Sequence, residues 1–295
     1  MKKLEKIIVI TGPTASGKSD LAIKMAKEKY KKENIECVII SADSKQVYEY
    51  LDICTGKVMK EEMEGVVHYG LGVAQPMHSQ DIKYNKYTTA TWLMYAKNKI
   101  KEIINENKFP IICGGTGMYI DAILYGLTEN PAPIANFKKE YENKSLFYMQ
   151  NEIEKINKHF FEDLNNSEKN NKERLIRKLE ILTQNKNINT NHIRELKYDA
   201  EIIVLNPDKK VLENNINIRC EKRWIKMLEE TKYLLNIKKI DKDWLSKSGI
   251  EYNSIIKYFD GEIKNEEECK KNIILKSVQY TKRQITWNKK YNPLF

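Results

Sequence analysis

Residues 12–19 read Gly12-Pro13-Thr14-Ala15-Ser16-Gly17-Lys18-Ser19, the spacing GxxxxGK[ST], set between the apolar run IIVI and the stretch LAIKMAKEKY. This pattern constrains more chain than its own eight residues. Its backbone N–H groups can surround an anion only where a strand ends before the loop and a helix begins after it. A buried strand, a helix and a parallel neighbouring strand are therefore expected around it. In that setting the loop amides hold a diphosphate, Lys18 neutralises it, and Ser19 ligates Mg2+. The loop alone does not separate a nucleoside triphosphate from any other diphosphate.

The segments downstream keep the same rhythm. CVIISADS carries a second apolar run that ends in polar residues, TTATWLMYAKNKIKEIINEN has helical period, and FPIICGG reads as a third buried strand. Strands alternating with helices imply an α/β fold, a doubly wound parallel sheet with its ligands at the carboxyl ends of the strands. At TENPAPIANF the composition turns polar and rich in Lys and Asn, and AEIIVLNPDKK returns to strand character before a helix bearing Arg219 and Arg223. The expected organisation is a P-loop α/β core over residues 1–130, a helical insertion over 131–198, and a return to the core with basic C-terminal helices over 199–295.

Composition narrows the setting. The chain has 295 residues, 41% hydrophobic and 31% charged, enough for a packed core in a soluble protein. No run approaches the roughly 20 apolar residues of a membrane span, and the N-terminal apolar run is too short for a signal peptide. Cys37, Cys54, Cys113, Cys220 and Cys269 are scattered, without CxxC spacing, which suits a reduced cytoplasmic protein without structural zinc. His68, His78, His159 and His192 lack a ligand pattern and read as structural or surface residues. The net charge of +10 has a local source: residues 270–290, KKNIILKSVQYTKRQITWNKK, hold seven Lys or Arg and no acid. At helical spacing Lys276, Tyr280, Arg283 and Trp287 fall near one face. Such a face fits an RNA backbone and unstacked bases, with Lys276, Lys282 and Arg283 expected on phosphates. The competing reading packs its aromatics on the core.

Two strand ends add chemistry. Asp43, in Ser41-Ala42-Asp43-Ser44-Lys45-Gln46, stands beside the phosphate loop, where a carboxylate takes a proton from a nucleophile, holds Mg2+, or merely caps the next turn. Cys113-Gly114-Gly115-Thr116-Gly117 replaces the Asp that ordinary ATPases place after an apolar strand, which argues against a motor or switch NTPase. Three glycines there let something bulky approach the backbone, and Thr116 offers a hydroxyl.

GPTASGKS, ISADSKQVY followed by DICTGK, IICGGTGMYIDAILYGL, the Arg219/Arg223 helix and YTKRQITW occur in that order from about Ile7 to Trp287. Together they resemble the bacterial tRNA dimethylallyltransferase family. The resemblance implies transfer of a dimethylallyl group from dimethylallyl diphosphate to N6 of the adenosine immediately 3′ of the anticodon, in tRNAs reading codons that start with U. It implies that the loop holds the diphosphate leaving group, that Asp43 is the general base, and that Lys18, Thr116 and Arg223 are catalytic. Thr14, Arg219 and Arg223 would lie on the donor. Asp43, Ser44, Lys45, Gln46 and Thr116 would meet the extruded base, and Lys138, Arg174 and Arg177 of a tRNA-facing insertion would meet the anticodon stem-loop.

Only six of the 51 basic residues are arginines (174, 177, 194, 219, 223 and 283), so an arginine here marks a place where bidentate phosphate recognition matters. The chain departs from the family pattern at Gln75, Glu251 and Asn253, which bears on tRNA range more than on the chemistry. The partners implied are dimethylallyl diphosphate and tRNA, for a monomer in the cytoplasm. A P-loop nucleoside or nucleotide kinase, or an isopentenyltransferase acting on free adenine nucleotide, shares the phosphate loop and stands as the alternative.

Overall fold

The computed structural model describes residues 4–81, 86–127, 131, 134–185 and 195–291. His192 and Arg194 lie outside the described residues. Five strands, β1 (Lys6–Thr11), β2 (Cys37–Ser41), β3 (His68–Tyr69), β4 (Phe109–Gly114) and β5 (Asp199–Val204), form one sheet in the order β3-β2-β4-β1-β5. Every pairing in it is parallel, with Ile8 opposite Ile111, Ile39 opposite Ile111 from the other side, and Val9 opposite Ile202. The two-residue β3 makes FPIICGG the fourth strand in sequence, not the third. Two residues are too few to leave a periodic signal.

The near-continuous apolar runs of β1, β2 and β4 follow from burial on both faces. Ile8 and Ile10 pack with Ala22, Ile23 and Ala26 of helix α1 (Lys18–Glu33). Ile7 and Val9 point the other way, into a larger cluster with Trp92, Ala96 and Ile100 of helix α2 (Thr89–Asn105). Helix α2 starts at Thr88, whose hydroxyl accepts from Thr91 N at 3.1 Å. Trp92 is fully buried, donates to Ser41 O at 3.0 Å and stacks on Tyr119 of helix α3 (Gly117–Tyr125), which ties the end of β2 to both helices.

The chain divides into two compact units, 1–126 with 196–295, and 127–195. The second holds five helices among its described residues: α4 (Phe137–Tyr141), α5 (Leu146–Ile156), α6 (Lys158–Asp163), α7 (Asn166–Lys169) and α8 (Lys172–Gln184). Its core is Met149 and Ile153 against Leu175, Leu179 and Leu182. The first unit continues after β5 with α9 (Lys209–Asn236), α10 (Lys242–Ser248), α11 (Ile250–Phe259) and α12 (Glu266–Asn288). Helix α12 begins at Asn265, whose side chain accepts from Glu268 N, and carries Glu266, Glu267 and Glu268 in its first turn, where the helix dipole favours acids.

Candidate active site

The strand order brings together loops that lie far apart in sequence. β1, β4 and β2 are neighbours, so their carboxyl ends set the phosphate loop, Cys113–Gly115 and Asp43 side by side. A cavity of about 790 Å³ opens there, floored by Thr14 to Ser19 and walled by Asp43, Gln46, Cys113 and Gly115. Arg219 and Arg223 of α9, Glu251 of α11, and Lys276, Tyr280 and Gln284 of α12 complete it.

The phosphate loop is braced from its own side and from distant helices. Lys18 Nζ donates to Pro13 O at 2.6 Å, Asn215 Nδ2 to Ala15 O at 3.0 Å, and the buried Ser16 hydroxyl has no partner. Burial pulls the Lys18 ammonium below the ordinary lysine value; Cys113 and Asp43 act against that fall, and Arg219 adds to it. Burial likewise lowers the Arg223 guanidinium, with Arg219 as the next cause. Arg223 Nη1 is buried without a hydrogen-bond partner. Desolvated cations and an orphaned N–H, all lining one cavity, are what an anion of high charge would satisfy.

Asp43 Oδ1 accepts Lys45 N at 2.8 Å and Gln46 N at 3.3 Å. The carboxylate therefore caps its own turn while also lining the cavity, so the structural and chemical readings of this residue coexist. Lys45 Nζ, lowered by burial, reaches Lys247 O at 3.4 Å. Gln46 is held at both ends of its amide, by the Ser41 hydroxyl at 3.2 Å and by Gly56 O at 3.1 Å.

The cavity lining takes in only part of the expected set. Gly12, Pro13, Ser44 and Thr116 do not line the cavity; the Thr116 hydroxyl accepts Ser44 N at 2.9 Å and lies 3.3 Å from the Ser44 hydroxyl, so it pins the Asp43 turn from below. The glycines after β4 are approached by protein. A methyl group on Gly114 would lie 2.2 Å from Ala42 O, one on Gly115 2.5 Å from Gln284 Nε2, and one on Gly117 2.3 Å from the Trp287 ring. The bulky neighbours anticipated from the sequence are thus the end of β2 and the side of α12.

The basic helix also divides its residues. Lys276 lines the cavity, with Nζ donating to Asn253 Oδ1 at 3.1 Å, whereas Lys282 borders a separate groove with Asp208 and Lys209. Arg283 is exposed. Tyr280, 38% exposed, faces the cavity, and burial pushes its phenol up to about 12. Lys276 and Lys282 therefore do not form one surface, because six residues along a helix turn them far apart. Gln284, which the sequence did not single out, joins two motifs: its side chain accepts Thr14 N at 2.8 Å and donates to Gly115 O at 2.9 Å. Its signal was positional, four residues after Tyr280 and three before Trp287, on the face that packs inward.

Glu251, a departure from the family pattern, lines the same cavity as the two α9 arginines. Burial raises its carboxyl; Arg219 and then Arg223 oppose the rise. Within the second unit, Arg177 is bound to Glu180 at 2.5 Å and Pro131 O at 2.7 Å, with the carboxylate 8% exposed. That guanidinium is held by residues of its own unit, with the side chain 36% exposed. Lys138 pairs with Glu173 at 2.8 Å on the surface, and Arg174 donates to Ser167 Oγ at 3.1 Å. The histidines behave as expected where described: His68 Nδ1 lies 2.8 Å from Val66 O, His78 Nδ1 2.8 Å from Lys238 O, and His159 is exposed.

A parallel sheet bearing a phosphate loop, a strand-end aspartate and a cavity lined by desolvated cations defines a P-loop α/β enzyme acting on an anionic substrate. The model of the IPP transferase family matches residues 46–291, and this chain belongs to that family. It is 38% identical over 304 residues to a tRNA dimethylallyltransferase of Clostridioides difficile, covering 99% of this chain and 90% of the relative. A Bacillus subtilis protein of the same name is 32% identical over 296 residues, with 96% and 87% covered. The crystal structure of the full-length tRNA isopentenylpyrophosphate transferase from Bacillus halodurans superimposes with a TM-score of 0.67 at 29% identity, covering 97% of this chain and 87% of that one. Among the described residues no helix is long and apolar enough to cross a membrane.

Proposed function

We propose that this enzyme transfers the dimethylallyl group of dimethylallyl diphosphate to N6 of the adenosine immediately 3′ of the anticodon in tRNAs reading codons that start with U. Membership of the family supports prenyl transfer to tRNA, and the observation that carries the donor assignment is the cavity itself. Lys18, Arg219 and Arg223 share it with the phosphate loop and with Asp43; Arg223 Nη1 has no hydrogen-bond partner, and its Nη2 lies 3.9 Å from Glu62 Oε1.

In this reading the loop amides, Lys18 and the two arginines hold the diphosphate and take up the charge that builds on it as the allylic C–O bond breaks. The adenine N6 attacks the allylic carbon, a C–N bond forms, and pyrophosphate leaves. The N6 proton passes to Asp43, whose Oδ1 stays fixed by the Lys45 and Gln46 amides. Tyr280 and Lys276 line the α12 wall of the cavity, where the extruded base would enter. The Ser19 hydroxyl, in the lining of the same cavity, is a hard oxygen donor that suits Mg2+, which binds through few protein ligands and takes phosphate oxygens and water for the rest. When bound there it would add positive charge beside the leaving group. The same reading has the chain acting as a monomer in the cytoplasm, where its five free, buried cysteines would stay reduced.

One assay tests the reading: labelled dimethylallyl diphosphate or ATP is offered with tRNA or AMP. Label from the prenyl donor entering tRNA is expected. Phosphate transfer from ATP, or prenylation of AMP alone, would overturn it.

A further inference from the structure

Helix α9 carries a third charged residue in line with its two cavity-lining arginines. Arg219, Arg223 and Glu230 are spaced by four and seven residues, which puts all three near one face, Glu230 about 10 Å further along the axis. Opposite them runs Asp52-Ile53-Cys54-Thr55-Gly56-Lys57. The Glu230 carboxylate accepts three consecutive backbone amides of this segment, Asp52 N at 3.0 Å, Ile53 N at 2.6 Å and Cys54 N at 3.0 Å, and the Tyr252 hydroxyl at 2.7 Å. The segment is further closed by Gly56 N donating to Ile53 O at 3.1 Å and by the buried Lys57, whose Nζ donates to Tyr48 O at 2.7 Å.

Gly56 sits at φ 62°, with its α-carbon against both guanidiniums. A methyl group there would lie 1.6 Å from Arg219 Nη2, 2.5 Å from Arg219 Cζ and 2.8 Å from Arg223 Nη1. Its carbonyl accepts Gln46 Nε2, so the same residue is tied to the turn that carries Asp43. Two adjacent guanidiniums repel one another, and each ends a long arm with many rotamers. Only a surface without a side chain lets both lie flat and close enough for their free N–H groups to converge on one anion.

We propose that Gly56, anchored through the Glu230 carboxylate, is a positioning residue that aligns Arg219 and Arg223 on the diphosphate. This rests on the donor assignment above and extends it: the specificity for a diphosphate group comes from a clamp built by one helix and one loop, in addition to the P-loop. Charge-assisted bidentate contacts depend on fixed geometry, so displacing the pair weakens diphosphate binding while leaving the acceptor side untouched.

The test compares Gly56→Ala with Gly65→Ala. Gly65 also has a left-handed φ, 84°, but nothing lies within 4 Å of an added methyl, so it reports backbone strain alone. Binding of inorganic pyrophosphate with Mg2+ is measured by calorimetry, together with steady-state kinetics and tRNA affinity. Gly56→Ala is expected to weaken pyrophosphate, raise KM for dimethylallyl diphosphate by about tenfold or more and lower kcat with it, because the same arginines take up charge as the C–O bond breaks, with tRNA affinity within about twofold. Gly65→Ala is expected to match wild type. Pyrophosphate affinity unchanged in Gly56→Ala, or lowered equally in both variants, would overturn the proposal. Should Gly56→Ala not fold, Glu230→Gln, which keeps the volume but sets an NH2 group against N–H donors that the carboxylate now accepts, carries the same expectation and the same overturning result. Weaker pyrophosphate binding in a protein whose wild type fails to prenylate tRNA would leave the clamp standing and remove the functional reading instead.

Discussion

The side-chain oxygen of Gln284 accepts the backbone N–H of Thr14 at 2.8 Å, across 270 residues of sequence. Its amide nitrogen donates to Gly115 O, so one carboxamide fixes the phosphate loop against the end of β4. Gln284→Ala leaves a buried N–H and C=O unpaired, which costs about 1–3 kcal/mol each. The expected outcome is a clear loss of stability in urea unfolding together with a higher KM for dimethylallyl diphosphate. Wild-type values of both would mean that the bridge is incidental.

Asp43→Asn keeps an oxygen for the Lys45 and Gln46 amides, so the turn survives. The side chain can no longer take a proton. Single-turnover prenylation of tRNA should fall by about two to four orders of magnitude, the usual worth of a positioned base, with pyrophosphate affinity close to wild type. An unchanged single-turnover rate would remove Asp43 from the chemistry.

The lowered pKa of Lys18 has a sign that calorimetry can read. Burial depresses it in the free site, and a bound diphosphate favours the ammonium and lifts it again. Between the free and bound values the complex holds more protons, so binding takes up a proton and affinity falls as pH rises through the free-site value. Titrating pyrophosphate at a series of pH values below the ordinary lysine value of about 10.4, each in two buffers of different ionisation enthalpy, should show that uptake. Lys18→Ala should abolish it and weaken binding; equal uptake in the variant would assign the proton elsewhere.

The separation of Lys276 from Lys282 gives two variants with different signatures. Lys282→Gln, outside the cavity, should flatten the slope of log tRNA affinity against log salt by about 0.7–0.9 for each phosphate that the variant no longer neutralises, and leave donor KM alone. Lys276→Gln removes a cation from the cavity wall and should raise donor KM as well. Filter binding across a salt series, with donor kinetics beside it, checks both. Identical profiles would place the two lysines in one role.

Much of this site was legible because its constraints are local. The phosphate loop advertises itself through glycines and a lysine at fixed spacing, and Asp43 through its place after an apolar run. The parallel sheet was legible in the strand–helix alternation and in the apolar runs of β1, β2 and β4, buried on both faces. What periodicity cannot supply is the partner of a helix face. Residues 276, 280, 284 and 287 share a side by simple 3.6-residue arithmetic, yet nothing in that arithmetic says that Gln284 meets Gly115 while Lys282 looks elsewhere. Gly56 was opaque for the same reason: its meaning lies in Arg219 and Arg223, more than 160 residues away. The Glu230 contacts with residues 52–54 are equally nonlocal. Arg177 carries a contact that its residue type did not signal, an ion pair with Glu180 three residues along the same helix.

The bridge from Thr14 to Gln284 also orders events during synthesis of the protein. Thr14 leaves the ribosome 270 residues before the glutamine that braces it. Strand β5, which flanks β1, and the arginines of α9 come late as well. A nascent chain therefore carries the phosphate motif through those 270 residues of elongation without a finished receptor around it. Cellular pyrophosphate and nucleotides meet an unassembled loop until residue 284 is in place, and ligand affinity becomes a report that translation has run to that point.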